Sequence, residues 1–465
     1  MNMINVRRLT VMTFLGAGML SGISAQVSPL QVDTLKETKI PDQWDLQSCI
    51  DYAKEQNITI RKNRITAVST QIDVKTAKAA LFPSLSFSTG HQVVNRPYQE
   101  TSSRVSGSEI ISSNSKTSYN GNYGLNASWT LYNGNKRLKT IQQEKLNNQV
   151  AELDVATSEN NIQESIAQVY IQILYAAESV KVNENTLQVS IAQRDRGQEL
   201  LNAGSIAKSD LAQLEAQVST DRYQLVTAQA TLEDYKLQLK QLLELDGENE
   251  MNIYLPALSD ENVLAPLPTK KDVYISALSL RPEIEASKLN VEASELGIGI
   301  AKSSYLPTIS LSAGIGTNHT SGSDFTFGEQ VKNGWNNSIG LSVSVPIFNN
   351  RQTKSAVQKA KLQYETSMLS LLDEQKTLYK TIEGLWLDAN SAQQRYAAAN
   401  EKLKSTQISY ELISEQFNLG MKNTIELLTE KNNLLQAQQE QLQAKYMAIL
   451  NTQLLKFYQG DQLAL

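Results

Sequence analysis

Two periods organise the apolar positions of this chain. Ile162, Ile166, Val169, Ile173, Ala176 and Val180 step by 4, 3, 4, 3 and 4 residues, and 216 residues further on Leu378, Ile382, Leu385, Ala389, Ala392 and Tyr396 step in the same way. This is the seam of a coiled coil, in which alternate steps keep one stripe of a helix facing its partner. Proline placement leaves room for long helices, since none of the ten prolines lies between Pro97 and Pro256 and none follows Pro346. The pattern predicts helices from about Lys136 to Asn202 and from about Gln352 to Asn418, each of about 67 residues and, at about 1.5 Å per residue, about 100 Å long. Shorter helices are expected at about Asp45 to Ala80, Ala207 to Leu245, Asp272 to Ser304 and Asn423 to Tyr458, so that two of them end to end match one long helix.

Between the helices the period falls to two. In Tyr119, Gly121, Tyr123, Leu125, Ala127, Trp129 and Leu131 the odd positions are mostly apolar, while Asn120, Asn122, Asn126, Ser128 and Thr130 alternate with them. Ile339, Leu341, Val343, Val345 and Ile347 alternate with Ser338, Ser342 and Ser344; Leu85 and Phe87 do so with Ser84, Ser86 and Ser88, and Ile309, Leu311, Ala313 and Ile315 with Ser310 and Ser312. Such alternation suits a barrel strand between lipid and a water-filled lumen; a half-buried sheet of a soluble domain has the same period. Four strands cannot close around a pore, because even about eight leave an interior only wide enough for side chains. Open edges are not tolerated in lipid, so the chain is expected to combine with copies of itself, three of which would supply twelve strands. Asn95 to Ser118 and Thr317 to Asn336, rich in Ser, Asn and Gly, are expected to be exposed extracellular loops.

The two sets of elements are one unit written twice. Asn57-Ile58 to Phe87 aligns with Arg281-Pro282 to Leu311 at an offset of 224, placing Ala53 on Ala277, Ala77 on Ala301 and Phe82-Pro83 on Leu306-Pro307. Gly124-Leu125 to Leu131-Tyr132-Asn133 aligns with Gly340-Leu341 to Ile347-Phe348-Asn349 at an offset of 216, as does Gly204 with Gly420. The resulting plan is a signal segment at 1–25, an N-terminal segment at 26–44, a first repeat at 45–245, a linker at 246–271, a second repeat at 272–459 and a tail at 460–465.

Composition narrows the setting. Arg7 and Arg8, an apolar run from Leu9 to Leu20 and Ile23-Ser24-Ala25 have the layout of a secretory signal cleaved after Ala25. That run is too short to cross a bilayer, and no later stretch reaches the roughly 20 apolar residues of a spanning helix, so any membrane crossing must use strands. Loss of the signal removes two positive charges and moves the formal charge from −5 to −7, which speaks against a nucleic-acid partner. Cys49, the single cysteine, excludes an internal disulfide. His91 and His319 occupy non-equivalent repeat positions without a cysteine or carboxylate cluster at ligand spacing, so no metal or cofactor is expected. Neither a nucleophile elbow nor a phosphate loop occurs, and Gly297-Ile298-Gly299 reads as close packing near a helix end. An enzyme is not expected.

The signal, the duplicated helix-strand-strand-helix plan and the helix lengths together resemble the TolC family of outer-membrane efflux proteins over nearly the whole mature chain. The specific matches are the helix turns Leu201-Asn202-Ala203-Gly204-Ser205 to Asp210-Leu211 and Phe417-Asn418-Leu419-Gly420-Met421 to Glu426-Leu427, and the strand exits Leu131-Tyr132-Asn133-Gly134-Asn135 and Pro346-Ile347-Phe348-Asn349-Asn350-Arg351. Ala203 and Leu419 stand where the family commonly has valine, and Leu201 where it has an aromatic residue. The resemblance implies a mainly α chain with a membrane part: a homotrimer whose 12-stranded β-barrel in the outer-membrane lipid continues into a long periplasmic α-helical barrel, with 246–271 in an equatorial belt. It implies a passive exit duct fed by an inner-membrane pump through a periplasmic adaptor, a periplasmic coiled-coil scaffold being the alternative. Ala203, Gly204, Ser205, Leu419, Gly420 and Met421 would then be adaptor-contact turns. Glu426, Asp210, Lys422 and Phe417 would be gate residues, with a Lys422 to Asp210 link between neighbouring helices. Thr429 stands where a second acidic residue is common, which would leave either a single inner ring or a partial replacement by Glu430. Decoration of exposed helix starts also accounts for Asp210 and Glu426.

Overall fold

The computed structural model describes residues 40–98, 102–106, 109–113, 116–246, 251–256, 263–321, 323 and 325–463. The expected signal and most of the 26–44 segment lie outside these residues. In chain order the elements are α1 (Leu46–Gln56), α2 (Ile58–Ala79), β1 (Ser84–Asn95), β2 (Ser102–Ser106), β3 (Glu109–Ser113), β4 (Thr117–Asn133), α3 (Lys136–Asn202) and α4 (Lys208–Leu242). The second half supplies α5 (Lys270–Leu280), α6 (Pro282–Ser303), β5 (Thr308–Thr320), α7 (Phe327–Asn333), β6 (Asn336–Ser344), α8 (Gln352–Asn418) and α9 (Thr424–Gln459). Both 67-residue helices have the bounds that the heptad pattern predicts.

Two expected helices are each broken in two, at equivalent places. Arg281 leaves the helical region (φ −76°, ψ 124°) because Pro282 follows it, and the proline ring disfavours helical backbone in the residue before it. At the matching position of the first repeat Asn57 (φ −59°, ψ 127°) achieves the same break with its side chain, whose Oδ1 accepts from Thr59 and Ile60 N–H while Nδ2 donates to the Leu242 carbonyl at 3.0 Å. The break is where helices stack: α4 ends against the start of α2, and Ile58 N–H donates to Glu244 at 3.1 Å. In the second repeat the end of α9 lies against α5 and the break at Arg281. There the Arg281 guanidinium is held at 2.6 Å by Glu164 and at 2.9 Å by Glu283, and lies 3.9 Å from the Tyr458 ring.

The four main strands form one antiparallel sheet in the order β1-β4-β5-β6, with a bulge between Thr130 and Tyr132 and the two repeats joined at β4 and β5. None of these strands carries Asp, Glu, Lys or Arg. Phe87, Ile339 and Leu341 share one face and are 67%, 79% and 64% exposed. The expected loops are corrected in two respects. Asn95 to Ser118 contains the β2-β3 hairpin, in which β-branched Val105, Ile110 and Ile111 favour extended backbone. Thr317 to Asn336 continues β5 to Thr320 and holds α7, started by a reciprocal Thr326–Glu329 capping box.

The seam residues Ile166, Val169, Ile173, Ala176, Leu378, Ile382, Ala389, Ala392 and Tyr396 are buried. The largest apolar cluster gathers Trp44, Tyr170 and Ile449 about midway along the long helices. The described part of 246–271 is fastened to this level: Trp44 pairs with Ile253, Gln393 donates to the Val263 and Ala265 carbonyls, and Trp386 donates to that of Pro268. Among the described residues no helix is long and apolar enough to cross a membrane.

Candidate functional site

At the end of the helices away from the sheet, α3 turns into α4 and α8 into α9 through two turns of the same geometry. Gly204 and Gly420 both have φ +75°. Ser205 N–H donates to the Leu200 carbonyl and Gly204 N–H to that of Leu201; Met421 donates to Gln416 and Gly420 to Phe417. This is the Schellman pattern, which satisfies the last carbonyls of a helix through one left-handed residue. A Cβ on either glycine would meet nothing within 4 Å, so the requirement for glycine is one of backbone angle rather than space. The tips leave Leu419 and Met421 about 70% exposed (70% and 69%), with Ala203 and Ser205 also exposed, whereas Phe417 is buried beneath them.

The acidic residues start the returning helices. Asp210 accepts from Ala207 N–H at 3.0 Å, and Glu426 accepts from Asn423 N–H at 3.2 Å while Asn423 caps Glu426 N–H at 2.9 Å. Lys422 donates to Glu426 at 2.5 Å, so within one protomer it is paired with Glu426 rather than with Asp210. This hydrogen bond, then that from Asn423, holds the Glu426 carboxyl below its ordinary range. Thr429 bonds back to the Ile425 carbonyl, and Glu430 accepts from Ser409 of α8 at 3.0 Å.

Further up the same bundle lies a group that sequence reading missed. Lys431 of α9, Asp221 of α4 and Ser190 of α3 form a mutually hydrogen-bonded trio, with the Lys431 and Asp221 side chains 3% and 1% exposed. Gln217 donates to the other Asp221 oxygen at 2.9 Å. Burial pushes the Lys431 ammonium down and Asp221 opposes it. The signal was present: Lys431 occupies the apolar stripe of Leu427 and Leu434, and Asp221 that of Leu214 and Val218. Among the described residues no group of three or more His, Cys, Asp or Glu is placed to hold a metal.

The family model described as "Outer membrane efflux protein" matches residues 49–244 and again 273–460. The outer membrane efflux protein BepC of Brucella suis is 24% identical over 63% of this chain, and the outer membrane protein TolC of Escherichia coli 23% over 65%. The alignments span 61% and 62% of those two curated relatives, so the chain covers about three fifths of their length. Among solved structures, CusC superposes with a TM-score of 0.75 at 19% identity, covering 90% of this chain and 92% of that one. The Campylobacter jejuni CmeC outer membrane channel gives 0.73 at 18% identity, covering 90% and 87%. The family match takes in both repeats, and each of the two superpositions covers nine tenths of this chain.

Proposed function

Since the chain belongs to the outer membrane efflux protein family, we propose that it is the outer-membrane exit duct of a tripartite export system, a homotrimer through which cargo passes without chemical change. The observation that carries this reading is the union, in one chain, of an uncharged sheet with two unpaired edges and apolar residues exposed on one face with paired helices of about 100 Å that end in exposed turns. A coiled-coil scaffold has no use for the sheet. Relatives named for outer-membrane efflux and for toxin and drug export support the export role. The partners are a periplasmic adaptor, which meets the tips at Ala203, Gly204, Ser205, Leu419, Gly420 and Met421, and an inner-membrane pump that supplies the cargo.

In the trimer Asp210 and Glu426 each become a ring of three carboxylates, and Lys422, paired with Glu426, closes the passage beside them; Phe417, expected as a gate residue, is buried inside the protomer and packs behind the turn instead. Such rings attract cations in a narrow aqueous pore. Planar-bilayer recording of the reconstituted protein tests this: the wild type conducts with cation preference, Glu426→Gln with Asp210→Asn lowers that preference, and Lys422→Ala raises conductance. Unchanged selectivity and conductance in both variants overturn the gate, and absence of any channel from correctly assembled protein overturns the duct.

A further inference from the structure

We propose that His91 and His319, with the hydroxyl of Tyr119, form a binding site for one divalent transition cation per protomer at the loop end of the sheet. Repeat alignment separates the two histidines, but strand register reunites them. His91 of β1 pairs with Gly121 of β4, and Gly121 pairs with His319 of β5, so the imidazoles flank one glycine in a single cross-strand row. Both lean over it: a Cβ placed on Gly121 would lie 2.5 Å from His319 Cε1, 2.6 Å from its Nδ1 and 3.2 Å from His91 Nδ1. The two imidazole rings thus converge, each with its Nδ1 edge nearby, on a space that exists because residue 121 has no side chain.

The hydrogen bonds leave those nitrogens suited to a cation. His319 Nδ1 is buried and has no hydrogen-bond partner. His91 Nε2 lies 3.2 Å from the Thr89 hydroxyl and Nδ1 lies 2.7 Å from that of Tyr119. With the proton on Nε2 donated to Thr89, the Nδ1 lone pair faces the shared space and accepts from Tyr119. A bound cation takes the place of the tyrosine proton as partner of that lone pair, and the phenol oxygen joins the two nitrogens as a third donor. A hydrogen-bonded second nitrogen that fixes the tautomer is the usual support of a ligating imidazole. Two imidazoles and a neutral oxygen favour borderline cations such as zinc, nickel or copper over magnesium or calcium, which seek carboxylates. Water completes four-coordination around zinc.

The location suits such a site. His91, Tyr119, Tyr123 and His319 lie on the same face as Phe87, Leu125 and Ile315, beyond the apolar rows and toward the loops, with Phe327 edge-on to His319 at 5.0 Å. Polar aromatic rings capping an apolar band mark a membrane–water interface. That placement rests on the barrel reading; the convergence of the nitrogens does not. A cation there would clip β1 of the first repeat to β5 of the second.

The test uses the full-length, detergent-solubilised protein purified through a tag without histidine, dialysed against zinc and assayed by elemental analysis. The wild type should hold one zinc per protomer; His91→Ala and His319→Ala should each abolish it. Gly121→Ala keeps both imidazoles but fills the space, and should weaken binding at least tenfold. Cobalt should give a d–d absorption band in the wild type that the variants lack. Wild-type protein without zinc, or a His91→Ala/His319→Ala double variant that retains it, overturns the site. Bilayer conductance measured on the same samples should be unchanged in all variants, so a wild type that binds zinc but forms no channel would count against the duct reading alone.

Discussion

At the scale of single residues, Gly204 and Gly420 carry the clearest functional geometry, and both were legible in the sequence because a small left-handed residue was needed where two long helical patterns each stopped. A side chain at φ +75° costs about 1–2 kcal/mol even in open space, so Gly204→Ala and Gly420→Ala should each loosen the turn they occupy, with about 5- to 30-fold faster local opening. Hydrogen exchange across residues 199–206 and 415–423 reads this directly. Gly420→Asn should be milder, since asparagine tolerates the left-handed region better; equal protection in the alanine variants would mean that the turns are not left-handed. The chemistry of Asp210 and Glu426 was only half legible. Their position at helix starts could be seen, but their capping bonds to Ala207 and Asn423, and the pairing of Lys422 with Glu426, depend on backbone geometry that spacing alone does not specify.

At the scale of elements, the long helices followed from the sequence because their apolar period repeats without interruption, whereas the breaks in the flanking helices did not. Pro282 announces one break, but Asn57 makes the other by bonding its own side chain to the next turn and to Leu242, a tertiary contact without local signature. The β2-β3 hairpin was hidden by its serine-rich composition. The histidine row was hidden for a different reason, since comparison along the repeat differs from comparison across strands. The trio of Lys431, Asp221 and Ser190 ties α9 to the α3-α4 pair, and a buried ion pair is harmed most by losing one partner. Lys431→Met should leave Asp221 uncompensated and cost about 3–5 kcal/mol, while Lys431→Met with Asp221→Leu should recover most of that loss. Thermal unfolding followed by circular dichroism should rank the wild type and the double variant close together and above both single variants. A double variant as unstable as the singles would show that hydrogen bonding within the trio, not charge, holds the helices.

At the scale of the whole molecule, the unfinished feature is the sheet. Along β1, β4, β5 and β6 the direction alternates, so β6 of one protomer can lie antiparallel to β1 of the next without any change of pattern. Repeated three times this closes twelve strands and leaves no edge, as lipid requires. Closure would also give the polar face a consistent place: Ser86 of β1 shares its side of the sheet with Asn126, and Ser342 of β6 shares it with Ser310, so all of them would turn toward the lumen. Paired cysteines probe the joint. Substitutions at Ser84, Ser86 or Ser88 combined with one at Ser338, Ser342 or Ser344 should give, for at least one register, a covalent trimer on non-reducing gels. Native Cys49 should not interfere, because it is fully buried and burial raises its thiol to about 12, leaving little reactive thiolate. Cross-linking should be lost when the protein is dissociated before oxidation, since the two edges meet only between protomers. If every pair stays monomeric in assembled protein, or mass measurement of the detergent-solubilised wild type gives a monomer that still conducts, the sheet closes in some other way and the threefold duct is wrong.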